Sequence, residues 1–390
     1  MTRRAFLLLG LFIASAAGAF LGLAPGRIES QANAVRSPST PVQPSAAARG
    51  LLETSFVADL HADTLLWNRD VNERSERGHV DVPRLIEGHV ALQAFTVVTR
   101  FPRSYDPAGT DGDSDIIGLL AATQLWPPAT WASPMERALY QARRLHEAAS
   151  ASGGRLVVIE SKADLQRYLG RRTHDRAITA GLLGLEGAHA LESNVDNLDR
   201  LYDAGFRMLG ITHVFDNEIG GSGTGLERGG LTDLGFTVLE RAERLGMIID
   251  LAHASGRVID DVVANSALPL VVSHTGVRAT CEGDRNLSDM QIRAIAAKGG
   301  LIGIGFFEVA VCGLDARHVA AAMAHVARTV GVEHVALGSD FDGGVATPFD
   351  ATGLASVAES LLDLGFPADD TAAMMGGNVQ RFMLATLPAK

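Results

Sequence analysis

The chain has 390 residues, of which 47% are hydrophobic and 20% are charged, and its formal net charge is −11. This composition is usual for globular proteins and excludes disorder as the default state, and the acidic balance argues against a nucleic-acid partner, which normally meets a basic surface. One α/β barrel, which needs about 250 residues or more, would account for the length.

The N-terminus has the pattern of an export signal. Arg3 and Arg4 precede an apolar run of 18 residues from Phe6 to Leu23, and an Ala-x-Ala site ends at Ala34. The two arginines resemble the twin-arginine signal, whose route carries folded proteins. We therefore expect residues 1–34 to be a cleaved signal peptide and the protein to be exported to the periplasm or cell exterior. An uncleaved membrane anchor is the alternative, because the run lies at the lower limit of a spanning helix.

The segment that follows has a different composition. Residues 35–50 are rich in Ser, Pro and Ala, which is typical of a flexible linker. We predict that the folded domain covers residues 51–390. The only two cysteines, Cys281 and Cys312, neither support nor exclude a disulfide bond. Neither lies in a Cys-x-x-Cys pair, so a zinc site built from cysteines is not available.

Within this domain a short apolar run recurs eight times, with helical periodicity in the stretches between the runs. Alternating strands and helices build a parallel sheet, and eight such units can close into a (β/α)8 TIM barrel. A doubly wound open sheet is the alternative, but chemically active side chains end most of the runs rather than clustering at one point. Residues 104–131 and a surplus strand at 155–160 are predicted to be insertions. The predicted strands are 56–60, 90–98, 180–185, 207–211, 247–251, 270–272, 301–306 and 335–337, and the clearest helices are 233–245, 288–297 and 316–330.

Side chains that bind metal ions follow several of these strands. The first strand ends in Asp59-Leu60-His61-Ala62-Asp63. Residues two apart in a strand point to the same side, so His61 and Asp63 can face one ion. Glu186 ends the third strand between two glycines, where it could bridge two ions.

Three successive strands each deliver a histidine to the same rim, namely His213, His253 and His274. Imidazole and carboxylate ligands without thiolates suit Zn²⁺, Mn²⁺ or Co²⁺. Two such ions about 3.5 to 4 Å apart can hold a hydroxide and polarise a carbonyl group. Asp340, at the end of the eighth strand, is the candidate for proton transfer, because no other residue of the rim is left for that task. Each residue alone is as well explained by a structural role, but their coincidence across five strands is not.

The remaining histidines and the Gly-rich segment 219–230 are predicted to lie outside the metal site. We expect His79 to lie in a loop or to support a ligand of the site, and His189 to support a ligand of the site. The Gly-rich segment lacks the phosphate-loop pattern, and we expect a mobile loop near the site. The histidines expected at the surface are His89, His146, His174, His318, His325 and His334.

Taken together, these motifs resemble those of the membrane (renal-type) dipeptidases, peptidase family M19, and especially their bacterial members. The resemblance extends from about residue 56 to residue 382. It departs from the animal members at 214–225, which leaves the side-chain preference open. The motifs that carry it are His61-Ala62-Asp63, Leu185-Glu186-Gly187, Ile211-Thr212-His213 with Asp216-Asn217, Ile249-Asp250-Leu251-Ala252-His253-Ala254-Ser255, Ser273-His274, Asp284-Arg285-Asn286-Leu287, Gly338-Ser339-Asp340-Phe341-Asp342-Gly343 and Gly377-Asn378.

The resemblance implies a site for two Zn²⁺ ions, with Mn²⁺ or Co²⁺ as alternatives. It implies that His61, Asp63 and Glu186 bind one ion. It also implies that Glu186, His253 and His274 bind the other, so that Glu186 is the bridge.

The same resemblance implies the roles of three further residues. His213 would bind the substrate carbonyl, Arg285 the C-terminal carboxylate, and Asp340 would handle the proton. A planar guanidinium matches a carboxylate, which fits the role of Arg285.

We therefore expect a zinc-dependent dipeptidase, active also on substrates with a D-residue at the second position. One alternative is a lactonase, deaminase or phosphotriesterase of the wider amidohydrolase group, but those enzymes usually begin with His-x-His and bridge their metals through a modified lysine. A non-catalytic metal-binding or cell-wall-binding protein is another alternative, against which the complete ligand set and Asp340 argue. The physiological substrate and the oligomeric state stay open, with a homodimer as one option.

Overall fold

Nine parallel strands organise the computed structural model of the protein, which describes residues 24–390. Eight of them form a closed ring in the order β1-β2-β4-β5-β6-β7-β8-β9, because β2 pairs with β4 and β1 with β9. The short β3 pairs with the first residues of β4, Thr179 to Gly181, and it lies where a surplus strand was predicted. The strands are β1 Val57–Ala62, β2 Val90–Val98, β3 Leu156–Val158, β4 Thr179–Glu186, β5 Phe206–Gly210, β6 Ile248–Asp250, β7 Val271–Thr275, β8 Leu301–Ile304 and β9 Val335–Leu337.

Helices cover the outside of this ring, so the predicted (β/α)8 barrel is confirmed and the open sheet is wrong. Every residue of β2 and of β4 is buried, as expected for strands with the barrel interior on one side and helices on the other. The α-helices are Ala46–Thr54, Val82–Glu87, Ile117–Thr123, Pro134–Ala151, Lys162–Arg172, Asn197–Asp203, Asp233–Leu245, Gly256–Asn265, Asp289–Ala297, Glu308–Val311, Ala316–Val330, Ala355–Asp363, Ala368–Ala372 and Asn378–Thr386.

Side-chain caps determine where several helices begin. Thr232 accepts a hydrogen bond from the Gly235 N–H, and the helix starts at Asp233 as predicted. Ser288 forms a capping box with Gln291, so the predicted helix 288–297 begins one residue later. These local signals place each helix, and with it the loop that precedes it at the barrel rim.

The N-terminal part of the described chain packs on the barrel. Residues 24–32 are helical, and Val35 forms a β-bridge with Thr347. The helix Ala46–Thr54 begins inside the stretch predicted to be a linker, capped by Ser45. The predicted apolar signal run at 6–23 lies outside the described residues. Among residues 24–390, no helix has the length and apolar character needed to cross a membrane.

One disulfide bond, between Cys281 and Cys312, joins the loop after β7 to the segment after β8. Its two cysteines are 31 residues apart in the chain. Closing a loop of this length stabilises a fold by roughly 3 to 4 kcal/mol in the chain-entropy model. The bond therefore tethers two loops of the barrel rim to each other.

Candidate metal centre and substrate pocket

The five side chains predicted to bind metal meet at the C-terminal ends of the strands. His61 Nε2 lies 3.5 Å from Asp63 Oδ1 and 3.4 Å from Glu186 Oε1. The same Glu186 oxygen lies 3.0 Å from His253 Nε2 and 3.7 Å from His274 Nε2. One carboxylate is therefore shared by two groups of donor atoms.

Two further predicted residues lie close to this cluster. His213 Nε2 is 3.4 Å from Glu186 Oε2, and Asp340 Oδ1 is 3.9 Å from His61 Nε2. Both residues were predicted to act on the substrate, yet both are near enough to contribute a ligand atom. Three groups have ligand atoms within 4.8 Å of one another, namely His61/Glu186/His274, Glu186/His213/His253 and His61/Asp63/Asp340.

The donor atoms of this cluster fit metal ions. His61 Nε2 and Glu186 Oε2 are buried and have no hydrogen-bond partner among the described residues. Buried polar atoms are normally bonded, so such atoms in a cluster of donors point to a ligand. Nitrogen and oxygen donors without sulfur suit Zn²⁺, Mn²⁺ or Co²⁺.

The electrostatics of the cluster lead to the same interpretation. Burial lowers the pKa of the His253 and His274 imidazoles well below 6.5, so both rings are neutral, as ligands must be. Burial, with help from Asp63, raises the pKa of the Glu186 carboxyl well above 4.5. A buried carboxylate therefore needs a compensating positive charge, which a cation between these donors would provide.

Two hydroxyl groups form hydrogen bonds with side chains that are predicted to bind metal. Ser273 Oγ lies 3.0 Å from His61 Nδ1 and 3.1 Å from His274 Nδ1. Thr96 Oγ1 donates a hydrogen bond of 2.6 Å to Asp63 Oδ1. Such contacts fix the orientation of ligands. Neither role could be predicted from the sequence: Ser273 stands out only as the neighbour of His274, and Thr96 lies inside β2 without a signal of its own.

Over most of its length, the sequence of the chain also matches a known protein family. The family model of the membrane dipeptidases (peptidase family M19) matches residues 45–388. The chain belongs to the membrane dipeptidase family. The predicted enzyme class, a metallo-dipeptidase, is thereby confirmed together with the barrel.

Relatives of this M19 chain include a fungal enzyme and several bacterial structures. Dipeptidase aclJ of Aspergillus oryzae is 27% identical over 348 residues, which are 84% of this chain and 77% of the relative. The metallopeptidase of Rhodobacter sphaeroides, solved with a phosphinate mimic of the dipeptide L-Ala-D-Ala, is 25% identical with a TM-score of 0.69 and covers 85% of this chain and 99% of its own. The probable dipeptidase PvdM of Pseudomonas aeruginosa has a TM-score of 0.71 at 20% identity, covering 87% and 97%, and supports the fold alone.

Two residues of the M19 site have a left-handed backbone. His253 and Asp340 both have φ of 62°, which costs a non-glycine residue of order 1–3 kcal/mol and persists only where the surroundings hold it. A Cβ atom on Gly343 would lie 2.0 Å from Asp340 Oδ1, so this turn requires glycine there. The strained backbone at these two positions therefore sets the orientation of the His253 and Asp340 side chains.

The Gly-rich segment 219–230 is hydrogen-bonded to the backbone of two histidines of the site. Ser222 Oγ donates a 2.5 Å hydrogen bond to the carbonyl of His213, and the Gly223 N–H donates one of 2.7 Å to the carbonyl of His253. Asp216 Oδ1 accepts from the Ser222 N–H at 2.7 Å. The segment was predicted to be mobile; the structure instead has it hydrogen-bonded to two residues of the site.

The other histidines lie outside the metal cluster. His79 Nδ1 accepts a 3.0 Å hydrogen bond from the Asp342 N–H, and its ring stacks on Phe341. His189 Nε2 lies 2.9 Å from Thr99 Oγ1. His79 thus contacts the loop that carries Asp340, and His189 contacts the segment that follows β2. The six histidines predicted at the surface are all half-buried or exposed.

A cavity of about 550 Å³ opens over the cluster. Arg285 lines it, is 8% exposed, and donates a hydrogen bond of 2.8 Å to the carbonyl of His274, which fixes its guanidinium. Burial lowers the pKa of the Arg285 guanidinium below its ordinary value, but an arginine remains a cation in proteins. Much of the remaining lining is apolar and includes Leu66, Trp67, Val98, Phe101, Ile117, Leu119, Leu120, Val214 and Phe307.

Proposed function

We propose that the protein is a zinc-dependent dipeptidase that hydrolyses dipeptides, including those with a C-terminal D-residue. The observation that carries the proposal is the shared carboxylate. Glu186 Oε1 lies 3.4, 3.0 and 3.7 Å from the Nε2 atoms of His61, His253 and His274. In this assignment His61 and Asp63 would hold one ion, His253 and His274 would hold the other, and Glu186 would contribute to both.

The metal ions, two Zn²⁺ or alternatively Mn²⁺ or Co²⁺, would supply an activated water and polarise the scissile carbonyl. The residues around them bind the substrate and move protons. Arg285 pairs with the free carboxylate of the dipeptide through its planar fork. Since Arg285 and the donor atoms line one cavity, the terminal carboxylate binds near the bond that is cleaved, as a short substrate requires.

His213 is assigned to the oxygen of the scissile carbonyl, and its protonation determines how it acts. Burial lowers the pKa of its imidazole to about 4, so the free ring is neutral. Its Nδ1 lies 3.3 Å from the carbonyl oxygen of Arg100, which places the proton on Nδ1 and a lone pair on Nε2. Donation from Nε2 therefore requires a second proton, and the negative charge that develops on the carbonyl oxygen favours its uptake.

Asp340 is assigned to the proton that moves from water to the leaving amine. Burial raises the pKa of its carboxyl well above 3.8, although His61 opposes the rise. A carboxyl group with a raised pKa takes up a proton readily and then serves as a general acid. Its left-handed backbone and the contact with Gly343 hold the carboxylate at the edge of the metal cluster.

Three observations support the finer parts of the proposal. The Rhodobacter sphaeroides relative was solved with a mimic of L-Ala-D-Ala, which favours acceptance of a D-residue here. Export by the twin-arginine route is supported by Arg3 and Arg4 and by the Cys281–Cys312 bond, since disulfides persist in oxidising compartments.

A direct assay tests the proposal. The purified full chain, loaded with Zn²⁺, should release amino acids from L-Ala-L-Ala and L-Ala-D-Ala, lose activity with a chelator, and regain it with Zn²⁺, Mn²⁺ or Co²⁺. Lactones and phosphotriesters under the same conditions serve as controls. Intact dipeptides after metal loading, or faster turnover of a control substrate, would contradict it.

A further inference from the structure

Residues 24–36, called here the N-terminal segment, are bonded to loops around the metal cluster. Glu29 is 2% exposed, and its carboxylate accepts hydrogen bonds from Arg69 Nε at 2.6 Å and from Arg77 Nε at 3.0 Å. Arg69 is also buried and contacts the carboxylate of Asp342. Removal of one partner from a buried ion pair is strongly destabilising, so these contacts make Glu29 part of the folded barrel.

Further hydrogen bonds join the segment to the loop after β9. Asn33 Oδ1 accepts from the Gly344 N–H at 2.9 Å. The Thr347 N–H donates to the Ala34 carbonyl at 3.1 Å, and the Arg36 N–H donates to the Thr347 carbonyl at 2.8 Å. Since this loop also contains Asp340, the segment is bonded to the element that carries the predicted proton-transfer residue.

The segment also forms one side of the cavity above the cluster. Ile28 and Ala32 line that cavity together with Trp67, Leu119 and Leu120. Ile28 is 47% exposed and Leu119 is 67% exposed, so this side of the cavity presents large apolar side chains to solvent. The metal donors and Arg285 account for the polar ends of a dipeptide, so the apolar wall is available to one of its side chains.

We propose that residues 28–36 of the N-terminal segment remain in the folded enzyme as a wall of its substrate pocket, and that this pocket selects dipeptides with a large apolar side chain. The inference rests on the proposed dipeptidase function and adds the substrate class. Burial of a Leu or Phe side chain against this wall favours such substrates by about 10- to 100-fold in kcat/KM. Signal cleavage then falls before Ile28, whereas the Ala-x-Ala pattern predicts it after Ala34.

A specificity assay with the metal-loaded full chain tests the substrate class. We expect kcat/KM for L-Leu-L-Phe to exceed that for L-Ala-L-Ala at least tenfold. The Ile28→Asp and Leu119→Asp variants, one on each side of the cavity, should each lower this ratio about tenfold. Met290→Asp is the matched control, because Met290 is 73% exposed and lies outside the cavity lining.

The outcomes separate the parts of the inference. Equal kcat/KM values for the two dipeptides overturn the substrate class. A ratio that falls with Leu119→Asp but not with Ile28→Asp overturns the role of the N-terminal segment. If the metal-loaded wild type cleaves no dipeptide, the proposed function itself has failed, and the substrate class with it.

The processing site is tested independently of activity. The full chain is expressed with its export signal, and the intact mass of the exported protein gives its first residue. A start at or before Ile28 supports the inference. A start after Ile28 in a folded protein, for example at Val35, overturns it, whatever the substrates turn out to be.

Discussion

The Nε2 atoms of His253 and His274 lie 3.0 Å apart. Both rings are neutral because burial lowers the pKa of each well below 6.5. Two neutral imidazoles that point at each other and at Glu186 are arranged as ligands of one cation. This relationship makes the carboxylate of Glu186 the first position to test.

Glu186→Gln should remove metal and activity together. The amide keeps the size of the side chain but loses the charge that is shared between both groups of donors. We expect at least a 100-fold loss of kcat/KM and a loss of bound metal after dialysis, measured by elemental mass spectrometry. Glu76→Gln, at an exposed position, is the control. Full metal content in Glu186→Gln would contradict the bridging role.

Asp340→Asn should lower kcat by about 10²- to 10⁴-fold, because an amide cannot carry the proton to the leaving amine. Metal content should stay at the wild-type value if Asp340 moves protons. A parallel loss of metal would show instead that Asp340 is a ligand, which its group with His61 and Asp63 allows.

Arg285→Ala should mainly raise KM, by about 10- to 100-fold, since a charge-assisted hydrogen bond contributes about 1.5 to 3 kcal/mol. Arg285→Lys should recover only part of this, because an ammonium lacks the planar fork. Dipeptide amides provide the control: they lack the carboxylate, so the substitution should hardly change their KM. An equal rise for acids and amides would disprove the carboxylate contact.

Ser273→Ala should lower metal affinity by about 10- to 100-fold, because Ser273 Oγ contacts Nδ1 of both His61 and His274. The readout is the free Zn²⁺ concentration at half-maximal activity. Ser360→Ala removes another buried serine hydroxyl far from the cluster in the chain and is the control. Unchanged metal affinity would limit Ser273 to a packing role.

Asp342 should make the fold sensitive to acid. Burial by itself raises the pKa of its carboxyl, but Arg69 and His79 outweigh burial and hold the pKa below 3.8. A pKa that is lower in the folded state stabilises the protein above about pH 4, and this stability is lost as the pH falls further. Asp342→Asn should cost about 3 to 5 kcal/mol at pH 7.

Urea unfolding followed by circular dichroism between pH 3 and pH 7 measures this effect. The wild type should lose stability over the acid range, and the variant should lose less because the titrating group is gone. Asp113→Asn, at an exposed position, should behave like the wild type. An Asp342→Asn profile parallel to that of the wild type would rule out this carboxyl as the source.

Local signals in the sequence were sufficient for most of the elements. The predicted strands 90–98 and 335–337 and the helices 233–245 and 316–330 match the structure residue for residue. Some strand ends differ: the first strand was predicted to end at Leu60, whereas β1 continues to Ala62. The pairing of the last residues of β1 depends on the register of β1 against the neighbouring strand β2, and this register is not a property of the local sequence.

The predicted donors of the metal cluster could be found because each follows an apolar run. In a parallel barrel the C-terminal ends of all strands meet at one rim, so the sequence alone determined that His61, Glu186, His253 and His274 come together. It did not determine the position of Ser273 Oγ between two rings, because that contact spans 212 residues of the chain.

Only the tertiary structure decided what surrounds these donors. The Cys281–Cys312 bond, the bonded Gly-rich segment and the buried pair of Glu29 with Arg69 each depend on distances between loops that share no local pattern. A composition typical of a signal or a linker describes the tendency of an isolated segment. A buried ion pair and a shared cavity wall arise when the barrel brings the partners together, because burial is a property of the whole fold.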